Sequence, residues 1–108
     1  MKRVLISQSA CRDRDSIDDY TIENFGLEQA ERLREALADA FISLLRMPES
    51  GRLQPDLSPP GRTLRSRIVL GAFLIVYEVA QDEIRVARIL HAARNLPSEL
   101  LRDAGDAE

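Results

Sequence analysis

Leu27, Ala30, Leu33, Leu37, Ala40, Phe41, Leu44 and Leu45 recur at three- and four-residue steps and form one apolar stripe. Glu28, Glu31, Arg32, Arg34, Glu35 and Asp39 fill the opposite side. A period near that of the α-helix predicts a helix over residues 27–47. Pro48 ends it, because its ring blocks another turn and it has no N–H to donate. Upstream, Ile17, Tyr20, Thr21 and Phe25 fall near one side of a helical stretch over 10–25. Gly26 supplies the break between the two helices. Ser16-x-x-Asp19 has the form of a capping box, although the helical pattern begins before it. Residues 4–8 read as a short strand.

Downstream the period changes. Residues 48–62 hold four of the five prolines and two of the five glycines, which reads as loop, stiff and turned at Pro59-Pro60-Gly61. Extended runs follow at 64–70, 73–80 and 83–90, and connections as short as Gly71-Ala72 and Gln81-Asp82 predict antiparallel hairpins. Residues 92–101 read as a short helix interrupted at Pro97, and 103–108 as a frayed end. The expected fold is α+β, β-α-α-β-β-β, with an N-terminal strand and a two-helix hairpin packed on a mainly antiparallel sheet. One domain spans 1–101, followed by an acidic tail at 102–108. Along the central run Phe73, Ile75, Tyr77 and Val79 alternate with Leu74, Val76 and Glu78. Two helices cover one face only. The apolar second face is therefore expected to await a partner, unless the long loop or the C-terminal segment folds over it.

With 108 residues, 44% hydrophobic and 31% charged, the chain has the make-up of one globular domain. Cys11 is the single cysteine, so no internal disulfide can form and a reducing cytoplasm is the expected home. The apolar run ending at Ile6 is too short for a signal-peptide core or a membrane span. Net charge is −3, unevenly distributed. Residues 52–94 carry seven arginines against Asp56, Glu78, Asp82 and Glu83, whereas the flanking segments are acidic. The middle could present a basic surface to an anionic partner, or simply a solvated face.

The signatures of self-contained catalysis are missing: one histidine, one distant cysteine, no metal-ligand spacing and no glycine-rich phosphate loop. No cofactor and no metal are expected. The dense constellation is His91, Arg94 and Asn95 just past the last strand, with Tyr77 and Arg88 on the two strands before. Such a group could carry out acid–base chemistry beside a phosphate, or anchor a strand end through backbone hydrogen bonds.

The stretch from Gly71 through Phe73-Leu74-Ile75-Val76-Tyr77-Glu78-Val79, then Ile84 to Leu90-His91-Ala92-Ala93-Arg94-Asn95-Leu96, resembles the sheet of ParE toxins. Those run as an aromatic-x-Ile-x-Tyr-x-Val strand and then a strand ending in Leu-His-x-x-Arg. Asp13-x-x-x-Ile17-x-x-Tyr20 resembles the family's first helix, and Pro48-x-x-Gly51-Arg52 its turn from helices to sheet. The resemblance covers the chain to about Leu101. Two positions depart from it. Arg14 stands where the family often has Leu, and Leu74 where the mRNA-cutting RelE-type relatives carry an arginine at the cleavage site. Leu74 cannot stabilise charge, and a net −3 suits ribosome docking poorly.

The resemblance thus implies a cytoplasmic toxin of a type II toxin–antitoxin pair on the ParE branch, with DNA gyrase as its target. A cognate ParD-like antitoxin would neutralise it by direct binding, and DNA would be contacted only through that antitoxin. His91, Arg94 and Arg88 are the expected target contacts; Leu74, Val76, Arg65 and Arg67 are the expected antitoxin contacts. The alternatives are a ribosome-dependent mRNA endonuclease using His91, Arg94 and Tyr77, or an inactive relative that only binds its antitoxin.

Overall fold

The computed structural model describes residues 3–92. In chain order the elements are β1 (Arg3–Ile6), α1 (Gln8–Phe25), α2 (Leu27–Arg46), β2 (Arg52–Leu53), a 3-10 turn (Pro55–Leu57), β3 (Arg65–Val69), β4 (Phe73–Val79) and β5 (Glu83–His91). The strands form one sheet in the order β1-β5-β4-β3-β2. β1 runs parallel to β5, and the other neighbours are antiparallel. The expected α+β fold is observed. Its one parallel pair joins the first and last strands, because the helical hairpin carries the chain from β1 at one edge of the sheet to β2 at the other and the antiparallel strands then return to β5.

Ser7 decides where the first strand stops and the helix starts. Its N–H donates to the Val86 carbonyl at 2.9 Å. Its hydroxyl donates to the Ala87 carbonyl at 2.8 Å and accepts the Ala10 N–H at 3.0 Å. This residue, rather than Ser16, is the helix cap, so α1 begins earlier and β1 ends sooner than the pattern predicts. Gly26 alone joins the helices. Its φ of 92° is a conformation side chains rarely adopt, and its N–H closes α1 onto the Ile22 carbonyl at 3.0 Å.

The stripe of α2 buries Ala30, Leu33, Leu37, Ala40 and Leu44. Most of these meet Val69, Ile75, Tyr77, Ile84, Val86 and Ile89 from the sheet to form the main core. A smaller cluster of Leu64, Val76 and Leu90, with Leu57 and Leu74 packed against it, lies on the other face. That face is therefore not bare, and the expectation of an open apolar face is corrected here. Leu57 belongs to the proline-rich segment and Leu64 follows just after it, and together they fold back over this face. Ser58 pins the fold-back by donating its hydroxyl to the Gln54 carbonyl at 2.8 Å and accepting the Leu64 N–H at 2.9 Å. Arg62 reaches Glu78 at 2.9 and 3.1 Å. The segment also contains β2, whose two residues are too few to show a period.

Two irregularities shape the upper sheet. The β3–β4 turn has both central residues left-handed, Leu70 at φ 53° and Gly71 at φ 64°, closed by the Ala72 N–H on the Val69 carbonyl at 3.1 Å. In β5 the register steps from Tyr77↔Val86 to Val76↔Arg88, leaving Ala87 as a bulge where β1 has just ended.

Candidate functional site

Tyr77 sits at the middle of β4 with no exposed surface. Its hydroxyl donates to the Pro48 carbonyl at 2.8 Å and accepts the Gly51 N–H at 2.9 Å. Arg65, its partner across β3, donates to the Glu49 and Gly51 carbonyls at 2.9 and 3.0 Å. Arg67 donates to the Ser43 hydroxyl at 3.2 Å. These side chains stitch the turn after α2 onto the sheet. A side chain at Gly51 would collide with the Tyr77 hydroxyl and lie 2.8 Å from the Ser66 carbonyl, so glycine is required by close approach.

Burial raises the Tyr77 phenol pKa above its ordinary value, outweighing the Gly51 N–H and the two arginines, which act the other way. A raised pKa means the folded state holds the proton more tightly than the unfolded chain. This contribution to stability is complete below about pH 10, the ordinary value. It is lost as pH climbs through the folded value. Chemical denaturation at rising alkaline pH should show this loss, and Tyr77→Phe should remove that component of it.

At the far end of β5 the edge strand has run out, and α1 takes over. The Asp13 carboxylate accepts the Arg88 Nε–H at 2.7 Å, the Arg88 Nη2–H at 3.0 Å and the Ile89 backbone N–H at 3.0 Å. One acidic side chain thus satisfies a strand edge and a guanidinium together. The sequence does carry a signal for this. Asp13 falls three residues after buried Ala10 and four before Ile17, so it lies on the inward side of α1.

His91 closes β5 opposite Phe73, with its ring edge-on at 5.1 Å between centroids and 72° between planes. It borders an open cavity of about 360 Å³ with Tyr20, Phe25, Leu33, Leu70 and Phe73. Arg94, Asn95, the expected helix over 92–101 beyond Ala92 and the tail 102–108 lie outside the described residues.

The structure brings some of the expected residues together and separates others. Arg88 and His91 share one end of β5. Tyr77 lies four residues along β4 from Phe73, which faces His91, and that step is about 13 Å. The expected antitoxin contacts divide between two faces. Paired residues share a face, so Arg65 and Arg67 lie with Tyr77 and Ile75 toward the helices, while Leu74 and Val76 point away. The four do not make one surface, and Val76 is fully buried whereas Leu74 is half-buried. Among the described residues no group of three or more His, Cys, Asp or Glu is placed to hold a metal ion, and no helix is long and apolar enough to cross a membrane.

Residues 4–96 match the family described as the ParE toxin of type II toxin–antitoxin system, parDE. Toxin RelE2 of Caulobacter vibrioides is 36% identical over 94 residues, covering 87% of this chain and 99% of that one. A solved structure of the chromosomal ParDE TA system from P. aeruginosa superposes with a TM-score of 0.68 at 23% identity, over 84% of this chain and 96% of that chain. The structural likeness bears on the fold, whose helical hairpin and sheet it shares. With a family match over residues 4–96 and a relative 36% identical along almost its whole length, the chain belongs to the ParE toxin family, within the RelE/ParE superfamily of type II toxin–antitoxin toxins.

Proposed function

We propose that the protein acts in the cytoplasm by binding and inhibiting DNA gyrase, with no chemistry of its own, until a cognate ParD-like antitoxin sequesters it. The observation that supports this most is the state of Tyr77. A nuclease needs its acid, base and charge-stabilising groups within hydrogen-bond reach of one phosphate. Tyr77 is buried, bonded at both its donor and its acceptor side, and remote from His91. Leu74 in place of an arginine points the same way. In this reading His91, Arg88 and Arg94 serve recognition, and DNA is reached only through the antitoxin. Leu74 contributes to the antitoxin interface, and Val76 does so only if the 54–64 segment moves aside.

The name RelE2 of the Caulobacter relative is the reason to test the alternative, an mRNA endonuclease using His91, Arg94 and Tyr77. Expression should alter plasmid supercoiling and break DNA while leaving translated transcripts intact. His91→Gln, which keeps a hydrogen-bonding side chain, should retain most of the growth arrest. An endonuclease with His91 as acid or base would instead lose about 10²–10⁴-fold in cleavage on His91→Ala. Shortened transcripts with unchanged DNA topology, together with a harmless but antitoxin-binding His91→Gln protein, would establish the nuclease.

A further inference from the structure

The two apolar clusters of the protein share no residue, and they are closed by different means. The main core lies under the helical hairpin. The outer cluster of Leu64, Val76 and Leu90 is closed, among the described residues, by Leu74 from the same strand as Val76 and by Leu57 from a loop. Val76 is nevertheless fully buried, as deep as the centre of the main core.

Residues 54–64 leave the sheet and return to it at one narrow neck. There the Gln54 N–H donates to the Leu64 carbonyl at 2.9 Å, and the Gln54 side-chain amide donates to the Ser66 hydroxyl at 3.0 Å. A compact loop whose ends touch behaves as a unit. Its own bonds point inward. The Leu57 N–H donates to the Gln54 carbonyl at 3.1 Å, the Ser58 N–H to the Pro55 carbonyl at 3.3 Å and the Arg62 N–H to the Pro59 carbonyl at 3.0 Å, beside the two bonds of the Ser58 hydroxyl. Pro55, Pro59 and Pro60 fix three of its φ angles. The loop is therefore stiff and satisfied within itself. Among the described residues, the hydrogen bonds from 55–63 to the rest of the protein are the two from Arg62 to Glu78, and that arginine side chain is 44% exposed. Swinging the loop outward breaks these two bonds and withdraws Leu57, while nothing inside the loop comes apart. Unfolding the domain breaks the strand ladders and both helices. The smaller event is the more frequent one.

We propose that residues 54–64 form a hinged lid, latched by Arg62 on Glu78, which opens as a unit while the sheet stays folded and so gates access to Val76 and Leu90. The lid goes beyond the gyrase and antitoxin proposals and stands without either.

The test is thiol labelling of the full chain in a Cys11→Ser background, which removes the one native cysteine. Val76→Cys places a thiol under the lid, and Val86→Cys makes the same change in the main core. With an uncharged maleimide and no denaturant, the Val76→Cys thiol should react at least about tenfold faster than the Val86→Cys thiol. Its rate should also respond little to low urea, because a local opening exposes little surface. Arg62→Gln should speed its labelling about two- to fivefold, the range of an exposed ion pair. Leu57→Ala should speed it about tenfold, through lost apolar contact. Both variants should keep the flat urea response that marks the opening as local. Equal rates for the two thiols, rising together with urea, would show that only global unfolding reaches Val76 and would overturn the proposal. So would an unchanged Val76→Cys rate in Leu57→Ala or in Arg62→Gln, since the loop or its latch would then not be the cover.

Discussion

Asp13→Ala should lower the free energy of unfolding by about 3 kcal/mol, a large share of what a domain of this size possesses. Three N–H donors converge on this one carboxylate. Removing it leaves the Ile89 N–H without its acceptor and takes the two-pronged carboxylate contact from the Arg88 guanidinium, which is 17% exposed. Three charge-assisted hydrogen bonds at a largely buried carboxylate are lost together, which is why the effect exceeds that of a surface ion pair. Asp13→Asn should cost less, about 1–2 kcal/mol, because an amide oxygen can still accept from the backbone while the net charge is lost. Urea unfolding measures both. Amide exchange at Ile89 gives a local check, since that N–H should exchange faster in either variant without a comparable change in the middle of β4. Equal stability of Asp13→Ala and the parent would show that α1 does not hold the end of β5, and the placement of His91 would need another explanation.

Gly51→Ala should cost about 2–3 kcal/mol, from overpacking. The added carbon strikes the Tyr77 hydroxyl and approaches the Ser66 carbonyl, and the second of these is backbone that cannot swing away. Tyr77→Phe alone should cost about 1–3 kcal/mol, because it strips the Gly51 N–H and the Pro48 carbonyl of their shared partner. The two changes should not add. Deleting the hydroxyl relieves part of the collision, so the double variant should be more stable than the sum of the single losses predicts. A cycle of denaturation midpoints decides the matter. Strict additivity would mean that the turn after α2 and the centre of β4 are not in contact.

Sequence reading succeeded where a period runs long enough to be seen. The stripe of α2 and the alternation through β4 place that helix and the central strand within one residue. It failed where the deciding partner is distant in the chain. Ser7 caps α1 because Val86 and Ala87 lie beside it, and nothing within a few residues of Ser7 announces that. Two-residue β2 shows only through its pairing with Arg65 and Ser66. The four expected antitoxin contacts do not share a surface, because strand parity sets Arg65 and Arg67 on one face and Leu74 and Val76 on the other. Tyr77 entered as a chemical candidate because tyrosines can be acids. Its actual task, holding a turn, was hinted at by Pro48-x-x-Gly51 but not tied to it.

The pairing of β1 with β5 also bears on how the protein is born. Arg3 meets Glu83 across 80 residues of chain. At common synthesis rates, the ribosome needs roughly 4–16 s to make that intervening stretch. Throughout that interval β1 has no strand beside it, and the main core lacks Ile84, Val86 and Ile89. A growing chain therefore cannot assemble the His91 end of the sheet or its Asp13 anchor until the final strand is made. A partner already present in the cell can meet each new molecule at the moment its sheet closes, not after.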